Sequence, residues 1–237
     1  GYKILLNLKA EKSRWLGTYE PELAEAARQF LRPGMTVYDV GANIGYVSLL
    51  LAHAVRPNGR VFAFEALPAN VERIRRNVAL NALESRITLV PQAVADTSPK
   101  GDKSGELTFY VHASVGMGKV AGSAGRREEQ YQAEIQVSAL SLDEFVYQQG
   151  NPPPQAVKMD IEGGEVLALP GMKRILAEHH PLMLLELHGP ESEKAAWAAL
   201  TDAGYTLHAM ESGYPVIASP EKLGWKAYVI AVFEKRE

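Results

Sequence analysis

The stretch Val37-Tyr38-Asp39-Val40-Gly41-Ala42-Asn43-Ile44-Gly45-Tyr46 decides how this chain folds. An apolar run ends in an acid, turns through two glycines and continues into an apolar pattern of helical spacing. That order predicts a strand, a tight turn and the start of a helix. Such a unit presents backbone N–H groups to a ligand at the edge of a sheet.

A second predicted strand, residues 60–64, also ends in an acid, Glu65. Two strands that end in carboxylates and are separated by one helix are typical of a nucleoside-binding half of a sheet. An ionised carboxylate has two acceptor oxygens, so Glu65 is predicted to accept hydrogen bonds from both ribose hydroxyls. The alternative is that Asp39 and Glu65 only cap the turn or helix that follows them.

The glycine spacing distinguishes between nucleotide cofactors. In the dinucleotide turn Gly-x-Gly-x-x-Gly, the second glycine lets the backbone approach a pyrophosphate, whereas this chain has Asn43 there. S-adenosylmethionine carries an ammonium, a carboxylate and a sulfonium but no phosphate, so its turn accepts a side chain and favours an acid such as Asp39 nearby. We therefore expect S-adenosylmethionine at this edge, with Gly41, Asn43 and Gly45 in its turn.

The rest of the chain alternates strands and helices around one interruption. Residues 1–32 are predicted as an N-terminal segment and helix, and residues 33–237 as one α/β domain whose mostly parallel sheet has helices on both faces. Residues 97–138 are interpreted as an inserted loop or hairpin region, because their strands look antiparallel. Their glycine-rich part, residues 114–125, is either a surface loop or a flap over substrate.

The composition limits the classes of function. The 237 residues are 46% hydrophobic and 22% charged with a formal net charge of -3, which argues against a protein that follows a nucleic-acid backbone. The absence of cysteine excludes disulfides and thiolate metal sites and fits a cytoplasmic location. No apolar run is long enough for a membrane span. The oligomeric state is not readable from the sequence.

Three residues near the ends of later strands are candidates for catalysis. Asp160 and Glu186 each follow an apolar run, and His188 comes two residues after Glu186. A hydroxyl acceptor needs either a group that takes its proton or a cation that lowers its pKa. The three side chains would suit a divalent ion such as Mg²⁺, or His188 would be the general base of a metal-free site. The structural alternative has Asp160 capping a helix and Glu186 pairing with an arginine.

Six short motifs resemble, in the same order, those of the FkbM family of S-adenosylmethionine-dependent methyltransferases. The resemblance covers residues 17–188. The motifs are Gly17-Thr18-Tyr19-Glu20-Pro21, Asp39-Val40-Gly41-Ala42-Asn43-Ile44-Gly45-Tyr46, Phe64-Glu65-Ala66-Leu67-Pro68 with Asn70, Leu140-Ser141-Leu142-Asp143, Lys158-Met159-Asp160-Ile161-Glu162-Gly163-Gly164-Glu165 and Leu185-Glu186-Leu187-His188.

The resemblance implies a class I methyltransferase fold, a Rossmann-like, doubly wound α/β sheet of seven strands with the last one antiparallel. It also implies O-methylation of a hydroxyl on a sugar or secondary metabolite, a small-molecule or glycan acceptor. The acids at the ends of two strands, Asp160 and Glu186, resemble the metal ligands of catechol O-methyltransferase.

Further cofactor contacts are expected from position in these motifs. Tyr19 and Glu20 are predicted to close over the methionine end, although Glu20 beside Pro21 is also a normal helix N-terminus. Ala66 follows Glu65, and Gln92 and Ala93 occupy the place where relatives contact adenine.

Other functions remain open at this point. The chain could methylate an amine instead of a hydroxyl. Less favoured alternatives are a nicotinamide-dependent oxidoreductase, against which Asn43 counts, and a non-catalytic ligand-binding protein, against which the presence of Asp160, Glu186 and His188 counts.

Overall fold

A computed structural model describes residues 2–7, 9, 11–96, 105–112, 118–124 and 131–234. The remaining parts of the predicted insertion and of its glycine-rich stretch lie outside the described residues. The helices are α1 (Lys12–Leu16), α2 (Pro21–Phe30), α3 (Tyr46–Ala54), α4 (Pro68–Ala79), α5 (Leu142–Tyr147), α6 (Glu165–Ala168), α7 (Lys173–Glu178) and α8 (Pro190–Asp202), with 3-10 turns at Leu169–Met172 and Pro220–Lys222.

Strands and helices alternate along most of the chain, except that β3 to β7 follow one another without a helix in the described residues. They are β1 (Thr36–Val40), β2 (Arg60–Phe64), β3 (Ile87–Val90), β4 (Ala93–Val94), β5 (Glu106–His112), β6 (Gly118–Val120), β7 (Tyr131–Leu140), β8 (Ala156–Met159), β9 (Leu182–His188), β10 (Tyr205–Ala209) and β11 (Lys226–Phe233).

The central sheet has seven strands in the order β10-β11-β9-β8-β1-β2-β3. Strand β1 pairs in parallel with both β2 and β8, while β11 is antiparallel to both of its neighbours. The predicted doubly wound fold with an antiparallel last strand is therefore confirmed. The chain leaves β1 in one direction for β2 and β3 and later returns on the other side of β1 through β8 and β9. Ligands bind at such a reversal, beyond the carboxyl ends of the strands.

The alternation of side chains along β1 places two apolar layers on the two faces of the sheet. Tyr38 is fully buried on one face, where its ring packs against Phe62, Phe64 and Phe145 at centroid distances of 5.3–5.6 Å. Val37 belongs to the layer on the opposite face, with helices α2 and α3. The helices therefore cover both faces, and the strand ends are left as the surface where a site can form.

The region that interrupts the alternation forms a second sheet in the order β4-β7-β5-β6. Strand β5 is antiparallel to β6 and β7, whereas β4, which follows the edge strand β3 almost directly, pairs in parallel with the end of β7. We call β5, β6 and β7 the inserted sheet. Its attachment through β4 places it beside the β3 edge of the central sheet.

The N-terminal residues are tied to helix α4 by side-chain bonds. The amides of Asn77 and Asn81 accept hydrogen bonds from the backbone N–H groups of Leu5 and Lys3, each at 2.7 Å. The buried Glu11 carboxylate accepts two hydrogen bonds from Arg73, at 2.8 and 2.7 Å. We call the described residues from 2 to 19 the N-terminal strap. Among the described residues, no helix has both the length and the apolar character that a membrane span requires.

Candidate functional site

A cavity of about 640 Å³ opens at the carboxyl ends of the parallel strands. Its walls come from the ends of β1, β2, β8 and β9, from the segment around β4, from the inserted sheet and from the N-terminal strap. The lining residues that carry the later argument are Glu11, Arg14, Tyr19, Gly41, Asn43, Glu65, Ala66, Gln92, Ala93, Phe109, Gly118, Val120, Asp160, Glu162, Glu186 and Lys226.

The turn after β1 packs directly on the end of β8. Gly41 has a φ of +81°, and a Cβ on it would overlap the backbone oxygen of Asp160 and lie 3.0 Å from its carbonyl carbon. The Nζ of Lys158 donates to the Gly41 oxygen at 3.1 Å from the other side. Glycine is therefore required here by close approach as well as by conformation.

Glu65 is positioned by backbone donors from both of its neighbouring turns. Its Oε2 accepts from Asn43 N and its Oε1 from Leu67 N, each at 2.8 Å. Burial raises the pKa of Glu65 to about 7, against the lowering effect of these donors. The Asn70 side chain also donates to this carboxylate. Glu65 lines the cavity, so its remaining lone-pair capacity faces a ligand.

Asp39 does not take the position that the sequence predicted for it. The residue is fully buried, and its carboxylate accepts from Ser48 Oγ at 2.5 Å and lies 3.3 Å from Lys158 Nζ. Asp39 is not among the residues that line the cavity. Its direct contact with the cofactor is therefore corrected to an indirect role, in which it neutralises the buried lysine that supports the Gly41 turn.

Asp160 and Glu186 line the cavity at the ends of β8 and β9. Oδ1 of Asp160 is buried and has no hydrogen-bond partner among the described residues. Burial raises the pKa of Asp160 well above its usual range, against the opposing charge of Lys158. For Glu186, burial would raise the pKa, but hydrogen bonds from His188 and Lys226 lower it. Asp160 Oδ1 therefore has no hydrogen-bond donor among the described residues, whereas Glu186 is paired with two cations.

His188 lies behind this pair and does not line the cavity. Its Nε2 is 3.1 Å from Glu186 Oε1, and its Nδ1 is 3.9 Å from Asp160 Oδ1. Burial would lower the pKa of His188, but the carboxylates of Glu165, Glu186, Asp160 and Glu162 raise it to about 10. An imidazole that is already protonated at neutral pH cannot take a proton. This raised pKa and the position of His188 outside the cavity wall both argue against its role as the general base.

The same three residues satisfy the distances of a metal site. Asp160, Glu186 and His188 each offer a ligand atom, and these atoms lie within 4.8 Å of one another. The chemistry of the donors fits poorly, because Glu186 Oε1 already binds Lys226 Nζ and His188 Nε2. A metal would have to displace both cations and the imidazole proton.

The strap brings a cation, Arg14, to the wall of the cavity. Arg14 lies with its guanidinium carbon 4.0 Å from the centre of the Tyr19 ring, and its Nε is buried without a hydrogen-bond partner among the described residues. Tyr19 lines the cavity, as its prediction requires. Glu20 does not; it has a φ of +46° before helix α2, and burial raises its pKa.

Of the other residues predicted to bind the cofactor, all but Gly45 line the cavity. Gly41, Asn43, Ala66, Gln92 and Ala93 all line the cavity. Gly45 does not line the cavity. It is the residue before helix α3, has a φ of +84° and faces Ile74. The structure shows Gly45 at the start of helix α3, and its contact with the cofactor stays a prediction.

Several cavity residues were missed from the sequence. Lys158, next to the cavity, had a usable signal, since a lysine inside an apolar, fully buried strand requires a charged partner. Arg14, Phe109 and Lys226 had none, because they reach the cavity from the strap, the inserted sheet and the last strand only after folding.

The comparisons with known proteins agree on the family. The family model described as the methyltransferase FkbM domain matches residues 39–207. The chain is 28% identical over 183 residues to 31-O-demethyl-FK506 methyltransferase FkbM of Streptomyces tacrolimicus, covering 63% of this chain and 67% of that protein. It is 28% identical over 167 residues to the hexuronic acid methyltransferase AglP of Haloferax volcanii, covering 70% and 62%. The chain thus spans about two thirds of the length of these relatives.

Solved structures agree on the fold. The FkbM methyltransferase of Methylobacillus flagellatus has a TM-score of 0.53 at 17% identity, covering 97% of this chain and 56% of that chain. An S-adenosylmethionine-dependent O-methyltransferase of Thermotoga maritima has a TM-score of 0.52 at 15% identity, covering 92% and 66%. At these identities the likeness concerns the fold alone.

Proposed function

This chain belongs to the FkbM family of S-adenosylmethionine-dependent methyltransferases, and we propose that it methylates a hydroxyl group of a sugar or secondary metabolite. One observation carries the proposal. A single cavity contains the backbone-anchored carboxylate of Glu65 and the unpartnered carboxylate oxygen of Asp160. The first suits a ribose and the second suits the proton of an acceptor hydroxyl. The two relatives, a 31-O-demethyl-FK506 methyltransferase and a hexuronic acid methyltransferase, support the same acceptor class.

The nucleoside end of the cofactor is assigned to Glu65. Asn43 N and Leu67 N already fix the orientation of its two oxygens. The Asn70 side chain also donates to this carboxylate, and the lone-pair capacity that remains would accept a ribose hydroxyl. Ala66 continues the same wall toward Gln92 and Ala93.

The amino-acid end is assigned to the strap. The methionine carboxylate of the cofactor needs a cation, and Arg14 offers a guanidinium whose Nε has no partner among the described residues. The neighbouring ring of Tyr19 holds that guanidinium at the cavity wall. A carboxylate bound there completes the hydrogen bonding of the buried Nε.

Asp160 is the residue we assign to the acceptor. S-adenosylmethionine supplies a sulfonium-bound methyl group that a hydroxyl oxygen can attack. Asp160 Oδ1 would accept the hydrogen bond of that hydroxyl and take its proton. In its ionised form, a carboxylate with a raised pKa is a stronger base than an exposed aspartate. Glu186 pairs with Lys226 and His188, and the His188 ring lies 3.9 Å from Asp160 Oδ1.

A divalent ion such as Mg²⁺ at Asp160, Glu186 and His188 is the second candidate for activation of the hydroxyl, because the three ligand atoms lie within 4.8 Å of one another. We favour the metal-free site, since Lys226 and protonated His188 already neutralise Glu186. Activity that is unchanged by EDTA supports the metal-free site. Activity that EDTA abolishes and Mg²⁺ restores would assign the cluster to a metal.

The decisive experiment measures cofactor binding and product mass together. We expect S-adenosylhomocysteine to raise the melting temperature while NAD does not. We then expect a hydroxylated glycan or metabolite to gain the mass of one methylene unit when incubated with S-adenosylmethionine. Asp160→Asn should lower kcat by about 10²- to 10⁴-fold. Stabilisation by NAD alone would overturn the proposal, and methylation of amines only would replace the acceptor class.

A further inference from the structure

The inserted sheet turns one apolar face toward the cavity. Phe109, in the middle of β5, is 8% exposed, and the alternation of the strand places Leu107 and Val111 on the same face. Phe109 pairs with Val120 of β6 and Ile135 of β7. These side chains form one cluster that also contains Leu67, Ala66 and Ala93, which belong to the segments after β2 and β3.

Phe109, Gly118 and Val120 are themselves part of the cavity wall. They lie in the same apolar cluster as Ala66, the residue directly after Glu65, and as Ala93. In the central sheet, β2 and β3 lie on one side of β1, and β8 and β9, which carry Asp160 and Glu186, lie on the other. The inserted aromatic ring therefore belongs to the side of Glu65, not to the side of the acid pair.

The Phe109 ring occupies space that is free because residue 118 is a glycine. A Cβ on Gly118 would overlap Cε1 of Phe109 and the backbone oxygen of Tyr110, and would lie 3.0 Å from Cζ of Phe109. Gly118 thus leaves the space that the ring occupies against strand β6. A ring packed in this way is already fixed at the cavity wall, so ligand binding costs little further side-chain conformational entropy.

We propose that the inserted sheet binds the adenine ring of the cofactor through Phe109 and Val120, which line the cavity together with Ala66 and Ala93. The inference rests on the proposed function, since it places the base of the nucleoside whose ribose Glu65 binds. A flat purine fits a wall of aromatic and aliphatic side chains, and an aromatic side chain stacked on a base contributes substantially to affinity. The insertion, whose glycine-rich residues 114–125 are predicted from the sequence as a surface loop or a flap over substrate, then has a defined role.

The test compares two ligands that share the nucleoside. S-adenosylhomocysteine has the amino-acid end, and 5′-methylthioadenosine does not. We expect Phe109→Ala to weaken both ligands by the same factor, about tenfold to a hundredfold in Kd by isothermal titration calorimetry. Arg14→Gln serves as the contrast and should weaken only S-adenosylhomocysteine.

Tyr110→Ala is the matched control. Tyr110 is the next residue on β5, stacks on Tyr131 at 4.8 Å and does not line the cavity. Its removal tests whether any damage to the inserted sheet lowers affinity, and we expect both Kd values to stay within twofold of wild type. Phe109→Leu keeps the apolar volume without the π face, so it remains informative if Phe109→Ala unfolds. We expect it to weaken 5′-methylthioadenosine severalfold.

The outcomes separate the two proposals. If wild type binds both ligands and the Phe109 variants bind them equally well, the adenine assignment is overturned and the methyl-transfer proposal stands. An equal loss in Tyr110→Ala and Phe109→Ala also overturns it, because the effect would then be general. If wild type binds neither ligand, the proposed function itself fails, and the adenine assignment fails with it.

Discussion

At the residue scale, Glu65 couples cofactor affinity to pH. Its pKa, raised to about 7 by burial, lies within the working range. Below that value a proton occupies one of the oxygens that would accept from the ribose, so affinity should rise as pH rises toward 7 and then level. We expect the Kd of S-adenosylhomocysteine to fall by at most about tenfold per pH unit between pH 6 and 7.

Glu65→Gln is the control for this pH dependence. The amide has one acceptor oxygen and no proton to lose, so its Kd should be higher than that of wild type at pH 8 and flat across the range. Calorimetric titrations at several pH values measure both slopes. A variant that keeps the wild-type slope would show that another group titrates.

Stability should depend on pH through His188, and it should fall as pH rises. Its folded pKa of about 10 exceeds its unfolded value of about 6.5, so the folded state binds the proton more tightly. The stabilisation is fully present below pH 6.5 and is lost as pH rises toward 10, by about 1.4 kcal/mol per unit. We expect the difference in unfolding free energy between wild type and His188→Gln to shrink over that range in urea titrations. An imidazole NMR titration with a midpoint near 6.5 would contradict it.

Replacement of Asp39 should mainly lower the stability of the fold. Asp39→Ala leaves the Lys158 ammonium buried, and the Asp160 carboxylate, 4.0 Å away, is then the acid paired with it among the described residues. We expect the free energy of unfolding to fall by about 3–5 kcal/mol in urea denaturation.

The matched variant removes both charges. Asp39→Leu with Lys158→Met should recover part of that loss, because no unpaired charge is buried. Wild-type stability of Asp39→Ala combined with weak cofactor binding would restore Asp39 as a direct ligand.

At the scale of the element, the β1 turn depends on close packing more than on glycine flexibility. Gly41 and Gly34 both have positive φ, but a Cβ on Gly34 meets nothing within 4 Å, whereas one on Gly41 meets the Asp160 backbone. Gly34→Ala should cost about 1–2 kcal/mol.

Gly41→Ala should cost at least about 2 kcal/mol more than Gly34→Ala and should also lower cofactor affinity, because β8 and Asp160 must move. Thermal unfolding and calorimetry measure the two effects. Equal losses in both variants would mean that the turn relaxes without moving Asp160.

The elements also show which sequence signals were reliable. Strand β1, its turn and helix α3 were predictable, because local patterning and a required glycine act within about ten residues. The inserted sheet was predicted only as a loop or hairpin region. The pairing of β4 with β7 joins Ala93 to Ala139, a contact between distant parts of the chain that no local pattern specifies.

At the scale of the whole molecule, two peripheral segments cover one cavity. The strap contributes Glu11, Arg14 and Tyr19, and the inserted sheet contributes Phe109 and Val120. A ligand that touches both walls should stabilise both segments against local opening. We therefore expect S-adenosylhomocysteine to slow limited proteolysis within the strap and within the insertion.

A ligand that has only the nucleoside tests which end of the cofactor contacts the strap and which contacts the inserted sheet. With 5′-methylthioadenosine, protection should remain in the insertion and be reduced in the strap, because the carboxylate for Arg14 is missing. Mass spectrometry of the cleavage products maps each site. Protection of neither segment by S-adenosylhomocysteine would mean that the ligand does not contact these walls.

The sequence by itself determined the family, the order of strands and helices, and the residues at the strand ends, such as Glu65 and Asp160, because these features are written in short motifs with local periodicity. Only the tertiary structure decided what those residues do. Burial and neighbouring charges turn Asp39 into the partner of Lys158 and keep His188 protonated. Packing of distant segments brings Arg14 and Phe109 to the same cavity. Electrostatic environment and long-range packing depend on groups far apart in the chain, and a linear pattern does not encode their distances.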